Sequence, residues 1–450
     1  MQRTSLALLA AAALLHLLLL AGWRWPGPLI PYFFDATVLS GGRGLDFYAL
    51  YQAGYNARHG ADIYEGDPTQ ASIVVPYFTP YRYLPIVAYT LGAALSFFSP
   101  LTAYKLWVVA IELTLLGCVY LTWRLTRDPD RFAPLACLWL CFSPFYLELF
   151  MGQFSLVQGA LVFGMLLLSL TPQLPSPDDD KAVIRRGGPR LASPPPLKRK
   201  KTLQESGTGG EATLFDALWL VSVLWKINTV IFIPALVRLR RYRALGVTTS
   251  VVLLTSIPYF LIFPAHARDF WANNFGNTLA AHELGNLGFR QFVFELLAAL
   301  QAPPALQRLA QLALVGAVLL ISLLFTFYSP GWGSEFPRNQ LPLANYLSLW
   351  LTAFFLVSPQ IWEHHYVMLL PVIVVAYWQK PSWLIFVIWL LLALPTPFGF
   401  IGLQPLIAAN HDLRAFPLEP AWQPLLQHAS KAAPTLALWG YFCWQIANGR

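Results

Sequence analysis

Long apolar runs recur along the chain and constrain its fold more than any other feature. A membrane-spanning helix needs about 20 predominantly apolar residues. Only 12% of the residues are charged, whereas a soluble domain carries about 25%. So few charges cannot cover a water-facing surface, and the sequence therefore predicts an all-α polytopic membrane protein. The predicted spans are 4–23, 104–125, 132–149, 154–170, 244–264, 305–329, 343–358, 364–379, 382–400 and 432–448.

Three apolar runs have additional features. We predict that 4–23 is an uncleaved first helix, because no clear small-x-small cleavage site precedes the polar segment after it. The run 213–238 is interrupted by Lys226 and Asn228, which predicts two short helices that meet at a polar point. The run 84–98 is short for a bilayer-spanning helix.

Basic residues predict the orientation, since Lys and Arg collect in cytoplasmic loops. They cluster at 124–131, at 238–243, at Lys380 and in 171–212. All of these positions reach the cytoplasm only if 84–98 lies along the outer interface or re-enters. The topology then has about twelve transmembrane helices, with both termini in the cytoplasm.

This topology divides the polar segments of a single transmembrane domain, 1–450, between two sides. The first outer loop, 24–103, and the loop 265–304 lie outside. The inner loop 171–212 is rich in Pro, Gly, Ser and charge, which predicts disorder. The cytoplasmic loops also account for the net charge of +8. Membrane lipids, and not nucleic acid, are the expected partners.

Asp46 lies early in the first outer loop, in the segment Gly44-Leu45-Asp46-Phe47-Tyr48. Two roles fit a carboxylate at this point. Asp is a favoured N-cap residue for the helix-like stretch that follows. It is also a candidate general base, since transfer of a group to a hydroxyl needs an acceptor for the hydroxyl proton.

Arg82 and Lys226 are candidate phosphate ligands. Arg82 lies between Tyr81 and Tyr83, and a guanidinium suits a phosphate, although such a side chain more commonly snorkels to lipid headgroups. Lys226 interrupts an apolar run, where a charge is expensive and usually functional. Snorkelling is the alternative for Lys226 as well.

Two other polar segments lie between apolar runs. Gln153, in a turn after Gly152, can hydrogen-bond hydroxyl groups. The segment 358–366 includes Trp362-Glu363-His364-His365. His and Glu are metal ligands, but adjacent His residues rarely bind one ion together, and only His282-Glu283 offers a second pair. Two His donors beside a Trp better suit an anion and a sugar ring, so we predict neither a metal nor a cofactor.

Under the predicted topology these side chains all lie on the outer side of the membrane. One negative group and several positive or donor groups then line one pocket. Such a pocket suits an acceptor hydroxyl and a phosphate-activated donor, with catalysis by positioning, proton removal and charge stabilisation. The converging residues are Asp46, Arg82, Gln153, Lys226, His364 and His365.

The same residues carry a resemblance to a known family. The chain resembles glycosyltransferase family 87, within the GT-C class of membrane glycosyltransferases. Each matching piece is short, and their order and spacing together make the resemblance specific. The pieces are Asp46-Phe47-Tyr48 with Ala53, Gly60 and Tyr64, then Tyr81-x-Tyr83-x-Pro85, Gly152-Gln153, Lys226, and Trp362-Glu363-His364-His365-Tyr366.

The resemblance implies a GT-C fold and a polyprenyl-phosphate-mannose-dependent mannosyltransferase, like those that elongate phosphatidylinositol mannosides. Such enzymes are inverting, metal-independent hexosyltransferases of the plasma (inner) membrane with an extracytoplasmic active site. The implied partners are a polyprenyl-phosphate-linked sugar donor and a glycolipid or glycan acceptor. By the same resemblance, Asp46 is the base, Lys226, His364, His365 and Arg82 bind the donor phosphate, and Gln153, Tyr48, Tyr83, Trp362 and Glu363 bind substrate.

The chain also departs from the family. Many members carry Asn where this chain has Ser155, and Pro shortly after the Lys, where it has Ile227-Asn228. The choice between mannose and arabinose or another sugar therefore stays open. A transporter or flippase for a lipid-linked sugar is the alternative function. It would place ionisable groups near the midplane of several spans, whereas here they cluster at predicted outer turns.

Overall fold

The computed structural model describes residues 3–24, 42–69, 72–170, 205–275, 285–328, 343–396 and 422–449. Every regular element in these ranges is helical, as the sequence predicts. Two 3-10 helices, Ile227–Phe232 and Glu363–Leu369, directly precede α9 and α15. The other helices are α1 (Arg3–Arg24), α2 (Leu45–His59), α3 (Pro85–Leu95), α4 (Pro100–Thr126), α5 (Pro129–Leu140), α6 (Pro144–Met151), α7 (Ser155–Leu170), α8 (Glu205–Trp225), α9 (Ile233–Arg238), α10 (Tyr242–Ile262), α11 (Pro264–Phe275), α12 (Phe289–Ala299), α13 (Pro304–Tyr328), α14 (Leu343–Val357), α15 (Leu370–Gln379), α16 (Trp383–Ala393) and α17 (Trp422–Ala447).

Four of the described helices, α1, α4, α10 and α13, are long and apolar enough to cross a membrane. A fifth span results if α5 and α6, which meet at a bend of 48°, are counted as one. The outward faces of these helices are apolar, with Leu113 62% and Leu261 76% exposed. Such surfaces are unfavourable in water and indicate a helical membrane protein.

The predicted count of about twelve spans is not confirmed. Several predicted spans form shorter apolar helices, among them α7, α14 and α16. The GT-C class and the sidedness of the loops stay predictions.

The predicted interruption at Lys226 is present. Helix α8 ends at Trp225, Lys226 is extended with φ −154° and ψ 119°, and a 3-10 helix begins at Ile227. The run 84–98 forms α3, which is short for a bilayer crossing.

Parts of the predicted loops can be located as well. In the segment predicted to be disordered, residues 171–204 lie outside the described residues, and α8 begins at Glu205. Loop 265–304 contains nearly all of α11 and all of α12, and His282-Glu283 lies outside the described residues.

Helix α7 lies at the centre of the packing. It contacts α4, α8, α14, α15 and the 3-10 helix Glu363–Leu369. Its partners α14 and α15 are apolar on nearly every side and buried almost throughout, as expected for helices inside a bundle. Helix α8, which ends at the Lys226 break, and the 3-10 helix Glu363–Leu369 are thereby packed against α7.

Helices α2 and α3 meet at two glycines. A Cβ atom on Gly54 would lie 1.9 Å from the carbonyl carbon of Gly92, and one on Gly92 would lie 2.9 Å from the carbonyl oxygen of Leu50. The two backbones therefore touch where only glycine fits. A π turn, Ala88–Gly92, lies at this contact. The contact holds α2, which carries Asp46, against α3.

We expect Gly54→Ala to destabilise the fold by roughly 1–3 kcal/mol, because an added methyl group overpacks this contact. Thermal unfolding of the detergent-purified protein measures the effect. Gly117→Ala in α4 is the matched control, since a Cβ there would meet nothing within 4 Å and alanine favours helix. A Gly54→Ala protein that melts with the wild type would contradict the contact.

Candidate active site

A cavity of about 710 Å³ opens where α2, the segment 79–84 and the helix breaks at Lys226 and at 358–365 meet. Residues that are distant in sequence line it together. Most of the sequence-predicted site residues are among them, namely Asp46, Arg82, Tyr83, Gln153, Lys226, Trp362, His364 and His365.

Asp46 lies in the first turn of α2 and faces the cavity. Gly44 is the N-cap, with φ 81°, so the alternative interpretation of Asp46 as N-cap is wrong. Burial raises the pKa of Asp46, whereas a hydrogen bond from Gln153 and the charges of Lys226 and Arg82 oppose this rise. The carboxylate thus combines a desolvated position with groups that keep it ionisable.

Gln153 is oriented by the turn that precedes it. Gly152 ends α6 with φ 64°, and a Cβ there would lie 2.6 Å from Cβ of Phe47. The Gln153 Oε1 atom accepts a hydrogen bond of 3.2 Å from the backbone N–H of Phe154. Because a backbone N–H can only donate, the amide nitrogen of Gln153 is the group left to donate to Asp46. Gln153 therefore orients the carboxylate.

Lys226 is held at the break between its two helices. Its carbonyl oxygen accepts a hydrogen bond of 2.7 Å from Nε2 of Gln158 on α7. Its own N–H donates to the carbonyl of Ser222 at 3.0 Å. Its ammonium nitrogen Nζ lies 3.3 Å from Nε2 of His365.

The tautomer of His365 follows from its hydrogen bonds. The backbone N–H of Trp362 donates to Nδ1 of His365 at 3.1 Å, so Nδ1 is the acceptor nitrogen. A neutral imidazole then carries its proton on Nε2. Nε2 lies 3.3 Å from the ammonium nitrogen of Lys226, so two donor nitrogens lie at the same edge of the cavity. A single anionic oxygen can accept from both of them.

His364 has a different environment from its neighbour. Its side chain is buried, with 2% exposure, and it lines the cavity. Neither ring nitrogen has a hydrogen-bond partner among the described residues. Buried polar groups are ordinarily paired, so His364 is available to donate to and accept from a ligand.

Two predicted substrate-binding residues do not line the cavity. Tyr48 is 2% exposed and packs against the rings of Phe47, Tyr77 and Tyr104. Glu363 is turned away from the cavity and forms a buried ion pair with a lysine of α17. Glu363 therefore differs from its sequence neighbours Trp362 and His364, which line the cavity.

Glu148 is a polar group that the sequence did not single out as a site residue. It is fully buried, and its Oε1 accepts a hydrogen bond of 2.8 Å from the backbone N–H of Leu156, in the first turn of α7. It also attracts Lys226 electrostatically. The one available signal was a glutamate inside the apolar run 132–149. Glu148 itself does not line the cavity, and the unpredicted polar residues that do are Thr79, Asn228, Asn274, Ser358 and Gln360.

Within the described ranges, no three His, Cys, Asp or Glu side chains come together as a set of metal ligands. The described cysteines are free thiols, two of them buried. The groups that face the cavity are instead hydrogen-bond donors, a carboxylate and aromatic rings.

We expect Lys226→Met to weaken binding of an alkyl phosphate such as dodecyl phosphate, because it removes one of the two neighbouring donors. A hydrogen bond to a charged group contributes about 1.5–3 kcal/mol, which corresponds to about tenfold or more in Kd. Calorimetric titration of the detergent-purified protein measures it. Lys105→Met, at an exposed position of α4, is the control, and equal affinities of all three proteins would exclude a phosphate site at Lys226.

Comparison with known proteins gives a family match over part of the chain. A family model described as glycosyltransferase family 87 matches residues 81–176. The matched segment supplies Arg82, Tyr83 and Gln153 to the cavity. Among the curated proteins and the solved structures, none matches the chain. The family match confirms the predicted resemblance to glycosyltransferase family 87 over residues 81–176 and indicates that the protein is a glycosyltransferase.

Proposed function

We propose that the protein is a GT-C-class hexosyltransferase of the plasma membrane. It transfers mannose from a polyprenyl-phosphate donor to a hydroxyl of a glycolipid or glycan acceptor at the extracytoplasmic face. The observation that carries the proposal is the composition of one cavity. A half-buried carboxylate, Asp46, shares it with two neighbouring donors, Lys226 Nζ and His365 Nε2.

On the acceptor side, Asp46 takes the proton of the attacking hydroxyl. The hydroxyl oxygen forms a bond to C1 of the sugar as the bond from C1 to the phosphate oxygen breaks. The electron pair of the broken bond leaves with the polyprenyl phosphate. Attack from the face opposite the phosphate inverts the configuration at C1. Gln153 keeps the carboxylate pointed at the acceptor position.

On the donor side, negative charge grows on the leaving phosphate oxygen. Lys226 and His365 are placed to stabilise it, and donors that are oriented before the reaction contribute most. Arg82, at the exposed edge of the cavity, adds positive charge. His364, with both nitrogens available, pairs with a phosphate oxygen or a sugar hydroxyl.

An apolar groove adjoins the cavity and suits the hydrocarbon chain of the donor. It has a volume of about 340 Å³ and lies between the first 3-10 helix, α9, α13 and α14. Val230 and Ile231 line both the groove and the cavity. The remaining lining is also apolar: Ile233, Pro234, Leu319, Leu323 and Trp350.

We expect Asp46→Asn to lower the transfer rate about a hundredfold or more, because it removes the general base. The assay supplies radiolabelled polyprenyl-phosphate-mannose and a crude lipid extract of the native cell to the detergent-purified protein. Asp67→Asn is the control, since Asp67 belongs to the same outer loop and does not line the cavity. Full activity of Asp46→Asn would place the base elsewhere. A wild type that transfers no label from any lipid-linked sugar, but binds one, would favour the transporter or flippase.

The pH dependence of kcat/KM is a second test of Asp46. Since burial raises the pKa of this carboxyl, the acid limb should lie above the ordinary aspartate pKa of about 3.9. Activity falls below that limb because protonation removes the base. Gln153→Leu deletes a hydrogen bond that lowers the pKa, so it should move the acid limb to higher pH. An unmoved limb would show that the limb does not report Asp46.

A further inference from the structure

A buried ion pair lies directly behind the two cavity histidines. Nζ of Lys431, on α17, is 3.3 Å from Oε1 of Glu363, and the two side chains are only 0% and 3% exposed. Charges so far from water are costly unless they are paired and fully hydrogen-bonded. A buried pair of this kind is therefore expected to have a role other than a simple gain in stability.

The ammonium of Lys431 has a full set of acceptors. Besides Glu363, it donates to the carbonyl oxygen of Leu392 at 2.8 Å and to that of Leu394. These carbonyls lie at the C-terminal end of α16, where the last carbonyls have no partner inside the helix and a cation is favoured. Lys431 thereby ties α17 to the end of α16.

Both oxygens of the Glu363 carboxylate are likewise bonded within the protein. It accepts a hydrogen bond of 3.1 Å from the backbone N–H of Thr396 and another from the Thr396 hydroxyl. Together with Lys431, these contacts occupy both carboxylate oxygens. Little capacity remains for a sugar hydroxyl, so Glu363 is not available for the substrate-binding role that the sequence predicted.

Glu363 connects the buried ion pair to the two histidines of the cavity. Glu363 is the first residue of the 3-10 helix Glu363–Leu369, and His364 and His365 follow it directly. The next residue after the histidine pair, Tyr366, donates a hydrogen bond of 2.9 Å to the carbonyl oxygen of Leu287. The ion pair with α17 therefore fixes the 3-10 helix just before the two histidines, and the hydrogen bond of Tyr366 fixes it just after them.

We infer that Lys431, through its pair with Glu363, is a positioning residue that sets the 3-10 helix so that both histidine rings face the donor phosphate. The inference rests on the proposed function for the identity of that ligand. Lys431 and Glu363 act on the reaction only through His364 and His365. A displacement of about 1 Å at a reacting group costs up to about a hundredfold in rate, so loss of the pair should be visible in catalysis.

The test compares Lys431→Met, Glu363→Gln and the double variant. Each single variant leaves one buried charge without its partner, which is strongly destabilising, whereas removal of both charges restores much of the stability. A merely structural pair predicts that the double variant recovers its melting temperature and its kinetics together. A positioning pair predicts that the melting temperature recovers and the kinetics do not.

We expect the double variant to raise the KM for the polyprenyl-phosphate donor by about tenfold or more, with the KM for the acceptor unchanged. Lys380→Met is the control, since Lys380 is exposed at the end of α15 and its loss should change neither constant. A double variant that melts like the wild type and has the wild-type KM for the donor overturns the inference.

A chemical measurement separates this inference from the proposed function. Diethyl pyrocarbonate modifies unprotonated imidazole nitrogens, and mass spectrometry of the peptide containing His364 and His365 gives the rate. The wild type should react slowly, because His364 is 2% exposed and Nδ1 of His365 is hydrogen-bonded. The double variant should react several times faster. If the wild type transfers no sugar, the proposed function fails while this rate still decides the positioning role, and a wild-type rate in the double variant rejects it.

Discussion

Hydrogen bonding of the backbone inside an apolar helical bundle is the constraint on which the rest of the structure depends. Helices can break at membrane depth only where protein or a cavity satisfies the freed backbone groups. Side chains from other elements do so at three of the breaks. Trp107 donates to the carbonyl of Gly152 at 3.0 Å, Gln158 to that of Lys226 at 2.7 Å, and Asn286 to that of Pro359 at 2.8 Å. The cavity lies where these three satisfied breaks meet.

The charged side chains around the cavity obey a similar rule. A desolvated charge persists when a partner or a ligand compensates it. Glu363 and Lys431 are compensated within the protein, and they support the cavity from behind. Lys226 is attracted by the carboxylates of Glu148 and Asp46 and lies 3.3 Å from Nε2 of His365. Both ring nitrogens of the neighbouring His364 have no hydrogen-bond partner among the described residues, so the site combines a satisfied support with a binding face that a ligand would complete.

The close approach of α2 and α3 links the segment that precedes α4 to this site. Gly54 and Gly92 bring the two backbones into contact, and Asp46 lies at the start of α2. Gln153, from the turn after α6, then hydrogen-bonds the carboxylate. The proposed acceptor side of the cavity is thus built from backbone contacts and one amide, whereas the proposed donor side is built from cationic and imidazole groups.

The apolar runs by themselves determined the helical membrane class, because sparse charge excludes a water-facing surface whatever the tertiary arrangement. They also marked the polar interruptions, since a residue such as Lys226 stands out against an apolar background. The number of spans did not follow in the same way, because the described helices α7, α14 and α16 have 16, 15 and 11 residues, fewer than the roughly 20 of a straight bilayer crossing.

Only the tertiary structure decided the direction in which each polar side chain points. It turned Glu363 towards Lys431 and left His364 in the cavity, although the two residues are neighbours in sequence. It also packed Tyr48 into an aromatic cluster and selected the tautomer of His365. Each outcome depends on a contact with an element that is distant along the chain, and the local sequence carries no information about such a contact.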